Sequence, residues 1–132
     1  MKDNVYSLSS ENQLRTCHPD LQKVFRAVLK LMDHKIIEGK RGEEAQERAV
    51  LDGKSKVHWP DGEHNSDPSN AVDAMPVPID WKDAEKLHYF AGLVVGTAAA
   101  MGIKIRWGGD FNMDTDFKND AFVDGDHFER IA

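Results

Sequence analysis

Residues 62–76 read GEHNSDPSNAVDAMP, a loop of turn-forming residues that runs into a short apolar segment ended by Pro76. The segment has the alternation of a strand, so Val72 and Asp73 are expected on opposite faces of a sheet. It lies between two helical patterns, residues 43–53 and 80–102, and a long loop (residues 54–69) separates it from the first. Because helices and strands mix without strict βαβ alternation, the sequence predicts an α+β fold.

The remaining segments support this mixture. Residues 19–34, PDLQKVFRAVLKLMDH, place apolar side chains on one helical face and predict an amphipathic helix that begins at Pro19 and ends at His34. The helix of residues 80–102 is expected to have Asp80 as its N-cap. Its small residues, Gly92 and Gly96 among them, should allow another element to approach closely. Residues 34–42, 103–109 and 126–131 predict further short strands.

Composition limits the possible classes of protein. With 132 residues, 40% of them hydrophobic, we expect one globular domain spanning residues 1–132, and a monomer. The net charge of −6 argues against nucleic-acid binding, because phosphate neutralisation needs a basic surface. The longest apolar stretch, residues 90–103, is too short to span a bilayer, and residues 1–13 lack a signal-peptide core. The single cysteine, Cys17, suits a reducing cytoplasm and leaves only imidazole and carboxylate as metal ligands.

Three polar residues are candidates for a site: His64 in the loop, Asp73 in the strand and His127 in the last predicted strand. An aspartate between apolar strand residues is favourable only when a cationic partner or a metal ion meets it. Two histidines and one carboxylate leave a fourth tetrahedral position for water, as in catalytic zinc sites. The alternative is a loop histidine and an ion-paired aspartate, and the spacing alone leaves both open.

A hydrolytic zinc site also needs a general base, and the acidic stretch before and within the last strand supplies candidates. Asp126 adjoins His127 and should point to the opposite face. Asp124 precedes the strand, where a turn can bring it over the metal, so we select it, with Glu129 as a supporting residue or alternative base. The acidic segment of residues 110–120 could bind Ca²⁺, although it lacks EF-hand spacing and a solvated loop is the simpler interpretation.

These residues resemble the motifs of a known family: bacteriophage endolysins of the L-alanyl-D-glutamate peptidase type, in the VanY-like D-Ala-D-Ala metallopeptidase superfamily. Its first metal motif, H-x-x-G-x-A-x-D, matches residues 64–73 if Asp67-Pro68 is an insertion and Ser69 replaces the glycine. Its second motif, an acidic residue, two residues and a histidine, matches DGDH, residues 124–127. The similarity extends from about residue 14 to residue 129 and implies a small antiparallel sheet packed against helices, the Hedgehog/DD-peptidase fold.

The resemblance also implies roles for individual residues. One zinc ion would be held by His64, Asp73 and His127, with Asp124 as the base. The family segment G-x-R-T-x-x-x-Q…G-x-S-K, matched by residues 39–56, places Arg41 in the cleft as a catalytic and substrate-binding residue; the alternative is a surface arginine. Gln46, Ser55 and Trp107 are further substrate-binding candidates, although Trp107 could equally be a core residue.

The departures from the family pattern lie in the same region. Gly42 stands where the family has threonine, and Gly62 stands where a serine is common; neither change removes a metal ligand. His58 is a rival to His64 as a ligand, but His64 fits the motif better.

The implied function is cleavage of the peptidoglycan stem peptide at the L-alanyl-D-glutamate bond, which lyses the host cell wall. Two alternatives stay open: a D-Ala-D-Ala carboxypeptidase of the same fold, and a zinc-containing binding module without catalysis. For an endolysin we expect accumulation in the host cytoplasm and release to the wall through a holin-type pore, without stable membrane insertion.

Overall fold

The computed structural model describes residues 3–110, 113 and 125–131. Within these ranges, helices and strands alternate irregularly along the chain. The helices are α1 (Leu8–Leu14), α2 (Pro19–Leu29), α3 (Glu43–Leu51) and α4 (Ala84–Ala100). The strands are β1 (His34–Glu38), β2 (Ala71–Pro76), β3 (Lys104–Trp107) and β4 (His127–Ile131). A short 3-10 turn, Glu63–Asn65, interrupts the long loop before β2. No helix in the described ranges is long and apolar enough to cross a bilayer.

The strands form one sheet in the order β1-β2-β4-β3, and every neighbouring pair is antiparallel. The expected α+β fold, a small antiparallel sheet packed against helices, is therefore confirmed. The strand with the highest residue numbers, β4, lies inside the sheet between β2 and β3.

The two faces of the sheet differ in chemistry. One face is apolar and lies under α2 and α4, with the core residues Val72, Ala74, Ile105 and Phe128. The ring of Phe128 contacts Phe25 of α2 at a centroid distance of 5.5 Å and Phe90 of α4 at 5.8 Å. Because successive strand residues point to opposite faces, Asp73 and His127 lie on the other face, away from this core.

The predicted amphipathic helix forms α2, whose apolar stripe is buried. His18 is its N-cap, since its Nδ1 accepts a hydrogen bond from the backbone N–H of Asp20 at 3.0 Å. The helix ends at Leu29, so the expectation that His34 closes it is wrong. His34 begins β1 and is 3% exposed, with its Nε2 2.5 Å from the Tyr6 hydroxyl. His34 is therefore a core histidine, and its burial lowers its pKa.

The start of α4 also differs from the prediction. The N-cap is Asp83, whose Oδ1 accepts a hydrogen bond from the backbone N–H of Lys86 at 3.1 Å. The predicted cap, Asp80, instead accepts from the N–H of Lys82 at 3.0 Å and stabilises the preceding turn. Asp80 and Asp83 both fit the N-cap pattern. Because residues 80–83 form a turn, the helix begins only after Asp83.

Gly92 and Gly96 of α4 are not positions of close packing. A Cβ added at Gly92 or Gly96 would meet no described atom within 4 Å, so the expected close approach at these two positions is wrong. The buried stripe of α4 is as predicted, with Phe90, Ala91 and Val94 among its core residues.

Candidate metal centre

The register of β2 and β4 brings two of the candidate ligands together. Asp73 and His127 are direct partners across the antiparallel pair, although 54 residues separate them in sequence. Opposed side chains on one face of such a pair are neighbours. The Nδ1 of His127 lies 3.3 Å from the Oδ1 of Asp73. The adjacency of β2 and β4 thus places these two candidates on one face of the sheet.

The third candidate, His64, comes from the 3-10 turn and is 5% exposed. Its Nε2 lies 3.1 Å from the same Asp73 Oδ1. The loop that follows bulges outward at the exposed Asp67-Pro68 pair, and Asp67 forms a salt bridge with Lys40 at 2.9 Å. The chain then returns at the fully buried Ser69, whose hydroxyl donates to the Ala71 carbonyl at 2.7 Å. The inserted pair therefore leaves His64 within reach of Asp73.

The outer nitrogens of both imidazoles face hydrogen-bond acceptors. His64 Nδ1 is 2.7 Å from the Gly39 carbonyl oxygen, and His127 Nε2 is 2.9 Å from a carboxylate oxygen of Glu129. Since these oxygens only accept, each outer nitrogen must carry the proton. In the neutral rings this leaves the lone pairs of His64 Nε2 and His127 Nδ1 directed at the carboxylate of Asp73. Lone pairs and a carboxylate repel one another. This contact is therefore stable only when positive charge, from added protons or from a metal ion, lies between the two nitrogens and Asp73.

The three side chains form a group that could hold a metal ion. One ligand atom from each of His64, Asp73 and His127 lies within 4.8 Å of the other two. Carboxylate and backbone acceptors behind the ligating histidines are typical of metal sites, where they fix the tautomer and the ring orientation.

The carboxylates of the site are ionised. Burial alone would raise the pKa of Asp73, but hydrogen bonds from His127 and His64 outweigh it and hold this pKa well below its usual range. Burial acts the same way on Glu129, and bonds from His127 and Arg106 outweigh it and lower its pKa. The Arg106 guanidinium contacts the second Glu129 oxygen at 2.8 Å. Glu129 thus contacts both His127 and Arg106, in the supporting position suggested for it.

Gly39 is required at its position because the chain there touches the end of α1. A Cβ at residue 39 would lie 2.4 Å from the Gln13 carbonyl oxygen and 2.2 Å from the Thr16 hydroxyl. The close contact directs the Gly39 carbonyl toward His64. The sequence did not predict α1, nor this role for Gly39; the only sequence signal was the glycine itself between a strand and a polar turn.

A cleft of about 910 Å³ opens over this face of the sheet, a volume typical of ligand sites. Arg41 lines it, and its side chain is 13% exposed. The guanidinium is bound by Glu38, lies 3.6 Å from the Oδ2 of Asp73, and donates to the Oε1 of Gln46 at 3.1 Å. The alternative of a freely exposed surface arginine does not describe this environment.

Gln46 and Ser55 also line the cleft, but their polar groups are engaged within the protein. Gln46 is 1% exposed, and its amide nitrogen donates to the Ser55 hydroxyl at 3.0 Å and to the Val57 carbonyl at 2.6 Å. Its oxygen accepts from Arg41 and, at 3.1 Å, from Asn65. Through these hydrogen bonds, the Gln46 amide connects Arg41, the segment after α3 and the 3-10 turn that carries His64.

Two other candidate residues do not belong to this group of three. Trp107 is 5% exposed in the core, does not line the cleft, and donates from Nε1 to the Gly125 carbonyl at 2.8 Å, which holds the chain just before His127. His58 is exposed, pairs with Glu47 at 2.8 Å, and is not part of the group formed by His64, Asp73 and His127.

The proposed base, Asp124, lies outside the described residues. So does most of the acidic segment of residues 110–120, and the calcium expectation stays a prediction. The residues that follow Asp124 are held at the site: the Asp126 carbonyl accepts from the Ala74 N–H at 2.9 Å, and Asp126 lines the cleft.

Comparison with known proteins identifies the family of the chain. A family model described as phage L-alanyl-D-glutamate peptidase matches residues 4–131. The chain belongs to this family. The sequence-based assignment to endolysins of this type is therefore confirmed, and the protein is an enzyme that hydrolyses the peptidoglycan stem peptide.

Two individual relatives support the family match. The L-alanyl-D-glutamate peptidase of Escherichia phage T5 is 30% identical over 134 residues, which are 96% of this chain and 97% of the relative. The crystal structure of the Serratia marcescens L-Ala D-Glu endopeptidase ChiX superposes with a TM-score of 0.77 at 27% identity. It covers 98% of this chain and 92% of that chain.

Proposed function

We propose that this peptidase holds one zinc ion with His64 Nε2, Asp73 Oδ1 and His127 Nδ1 and cleaves the L-alanyl-D-glutamate bond. The catalytic domain would span residues 1–132 and act as a monomer. The observation that carries the proposal is the convergence of these three atoms, with both outer imidazole nitrogens already bound to acceptors.

The interatomic distances support zinc. Zinc binds nitrogen and oxygen at about 2.0–2.2 Å, so two ligands in a tetrahedral arrangement lie about 3.3 Å apart. The distances from Asp73 Oδ1 to His64 and His127 are 3.1 Å and 3.3 Å. With no thiolate available except the buried Cys17, a set of two imidazoles and one carboxylate suits zinc and leaves a position for water or substrate. A zinc ion there would polarise the scissile carbonyl and lower the pKa of water.

The protein's own groups would then handle the proton and the developing charge. Asp124 takes the proton from the attacking water and passes it to the leaving amine of D-glutamate. The well-held position of its neighbours Gly125 and Asp126 supports this role. The Arg41 guanidinium, kept in place by Glu38 and Gln46, stabilises negative charge on the carbonyl oxygen or binds a peptide carboxylate.

Metal analysis tests the proposal directly. The purified protein should contain one zinc per chain, lose activity in EDTA and regain it with zinc. His64→Ala should lose the metal, while the matched variant His58→Ala should keep it. A protein that retains zinc without His64, or loses it without His58, would contradict the ligand set.

Product analysis separates the alternatives that share the fold. Digestion of purified sacculi should release peptides that begin with D-glutamate, as judged by mass. Free D-alanine with intact L-alanyl-D-glutamate bonds would indicate a carboxypeptidase instead. No cleavage by the zinc-loaded protein would favour a binding module. In the infected cell, we propose synthesis in the host cytoplasm and access to the wall through a holin-type pore.

A further inference from the structure

One wall of the cleft is basic, although the chain as a whole carries a net charge of −6. The wall consists of Arg48, Lys54 and Lys56, which come from α3 and the segment after it. All three are exposed and line the same cleft as the three proposed ligands. No motif in the sequence singles out Arg48 or Lys54.

The segment that carries this wall is fixed to its surroundings. Gly53 follows the C-cap of α3 with a φ of +76°, and the N–H groups of Lys54 and Ser55 both donate to the Ala49 carbonyl, at 2.8 Å and 3.2 Å. The Gln46 amide then holds Ser55 and Val57. The two lysines therefore flank an anchored residue, and their backbone positions relative to the cleft are set.

Basic side chains predominate on the α3 side of the cleft, and carboxylates predominate on the sheet. The carboxylates of Glu38, Asp73 and Glu129 lie on the sheet, around the proposed metal position. Arg41, held by Glu38 and Gln46 beside Asp73, is assigned to the carbonyl oxygen or a peptide carboxylate, so the basic wall is a second cationic group in the cleft. Asp52, in the same segment as the basic residues, and Glu63 and Asp126 also line the cleft. In the described ranges, however, no ion pair joins Arg48 or Lys54 to another residue.

The substrate has an anionic group that fits this wall. A glutamate residue acylated by alanine has two carboxyl groups, and in the stem peptide the chain continues through the side-chain carboxyl. The α-carboxylate is then free, one carbon atom away from the scissile nitrogen. Any productive complex must place this charge inside the cleft, close to the acidic sheet, where an unpaired anion is unfavourable.

We propose that Arg48, Lys54 and Lys56 bind the free α-carboxylate of the D-glutamate residue, so that the enzyme prefers stem peptides in which this group is not amidated. The inference rests on the proposed active site on the same cleft. Because the carboxylate is present in both the ground state and the transition state, the preference is expected mainly in KM.

The test uses two muramyl peptides that differ only in whether the D-glutamate α-carboxyl is free or amidated. For the zinc-loaded protein we expect kcat/KM to be about fivefold higher on the free acid, as for a partly exposed ion pair. In the double variant Arg48→Gln/Lys54→Gln, the ratio of kcat/KM on the free acid to that on the amide should fall at least about twofold. The control Lys23→Gln/Lys30→Gln has the same change in net charge outside the cleft and should keep the wild-type ratio.

The outcomes separate the two proposals. Equal rates of wild-type protein on both peptides, or a preference that the Arg48/Lys54 variant retains in full, would overturn the carboxylate subsite and leave the peptidase assignment intact. An equal loss of preference in the Lys23/Lys30 control would show general electrostatic attraction and also overturn it. A zinc-loaded protein that cleaves neither peptide would contradict the active site itself and with it the subsite.

Discussion

Two glutamate–histidine pairs in this protein allow a sharp test of the metal centre. Glu129 bonds His127 at 2.9 Å, and the two side chains are 7% and 12% exposed. Glu47 bonds His58 at 2.8 Å, and these side chains are 44% and 69% exposed. The bond lengths are nearly equal, but only the first histidine is a proposed ligand. Replacing each glutamate by glutamine removes the charge and preserves the shape.

For Glu129→Gln we expect zinc to bind about 10- to 100-fold more weakly, the usual effect of losing the partner behind a ligating histidine. This range corresponds to about 1.4–2.7 kcal/mol and agrees with the value of a hydrogen bond to a charged group in a buried position. Glu47→Gln should leave zinc affinity unchanged. Its effect on folding should stay within about 1 kcal/mol because an exposed pair contributes little.

The assay is a competition titration with a chromophoric zinc chelator, and far-UV circular dichroism verifies that both variants are folded. If Glu129→Gln binds zinc within about twofold of the wild type, Glu129 does not support a ligand. If Glu47→Gln is the weakened variant, His58 is a ligand and the assignment of His64 is wrong.

Further predictions concern the base, the glycine behind His64 and the cysteine. Asp124→Asn should keep zinc affinity while kcat falls about 10²- to 10⁴-fold; an unchanged kcat would exclude it as the base. Gly39→Ala should lower the free energy of unfolding by about 1–3 kcal/mol through overpacking and weaken zinc binding. Its control Gly92→Ala, in an open helical position, should be neutral or stabilising in the same melts. Burial raises the pKa of the Cys17 thiol to about 12, so at pH 8 it stays protonated and a disulfide reagent should react only after unfolding; rapid labelling of folded protein would contradict this.

Much of the site could be predicted because its ligands interrupt regular patterns. Asp73 stands out in an apolar strand, and His127 is preceded by acids in the last strand. The groups behind the ligands are harder to find. The Gly39 carbonyl is backbone, and no residue type reports its direction. Glu129 was recognised only as one of several nearby acids, because its contact with Arg106 depends on the pairing of β3 with β4.

The errors have a similar origin in contacts between distant segments. His34 was expected at a helix end because local sequence cannot reveal that Tyr6 and Phe90 surround its ring. The seven-residue helix α1 was missed because it is short and its stability depends on packing against β1. Gly92 and Gly96 suggested a close approach, but small residues permit a contact without requiring one.

The central position of β4 makes the enzyme sensitive to an incomplete chain. This strand supplies one proposed ligand, bridges β2 and β3, and contributes Phe128 to the core, yet it spans residues 127–131. Loss of β4 would therefore separate β2 from β3 and remove a core residue and a proposed ligand together. A chain that stops at residue 125 should show neither native circular dichroism nor zinc binding. The order of the strands thus couples completion of the core to assembly of the proposed metal site.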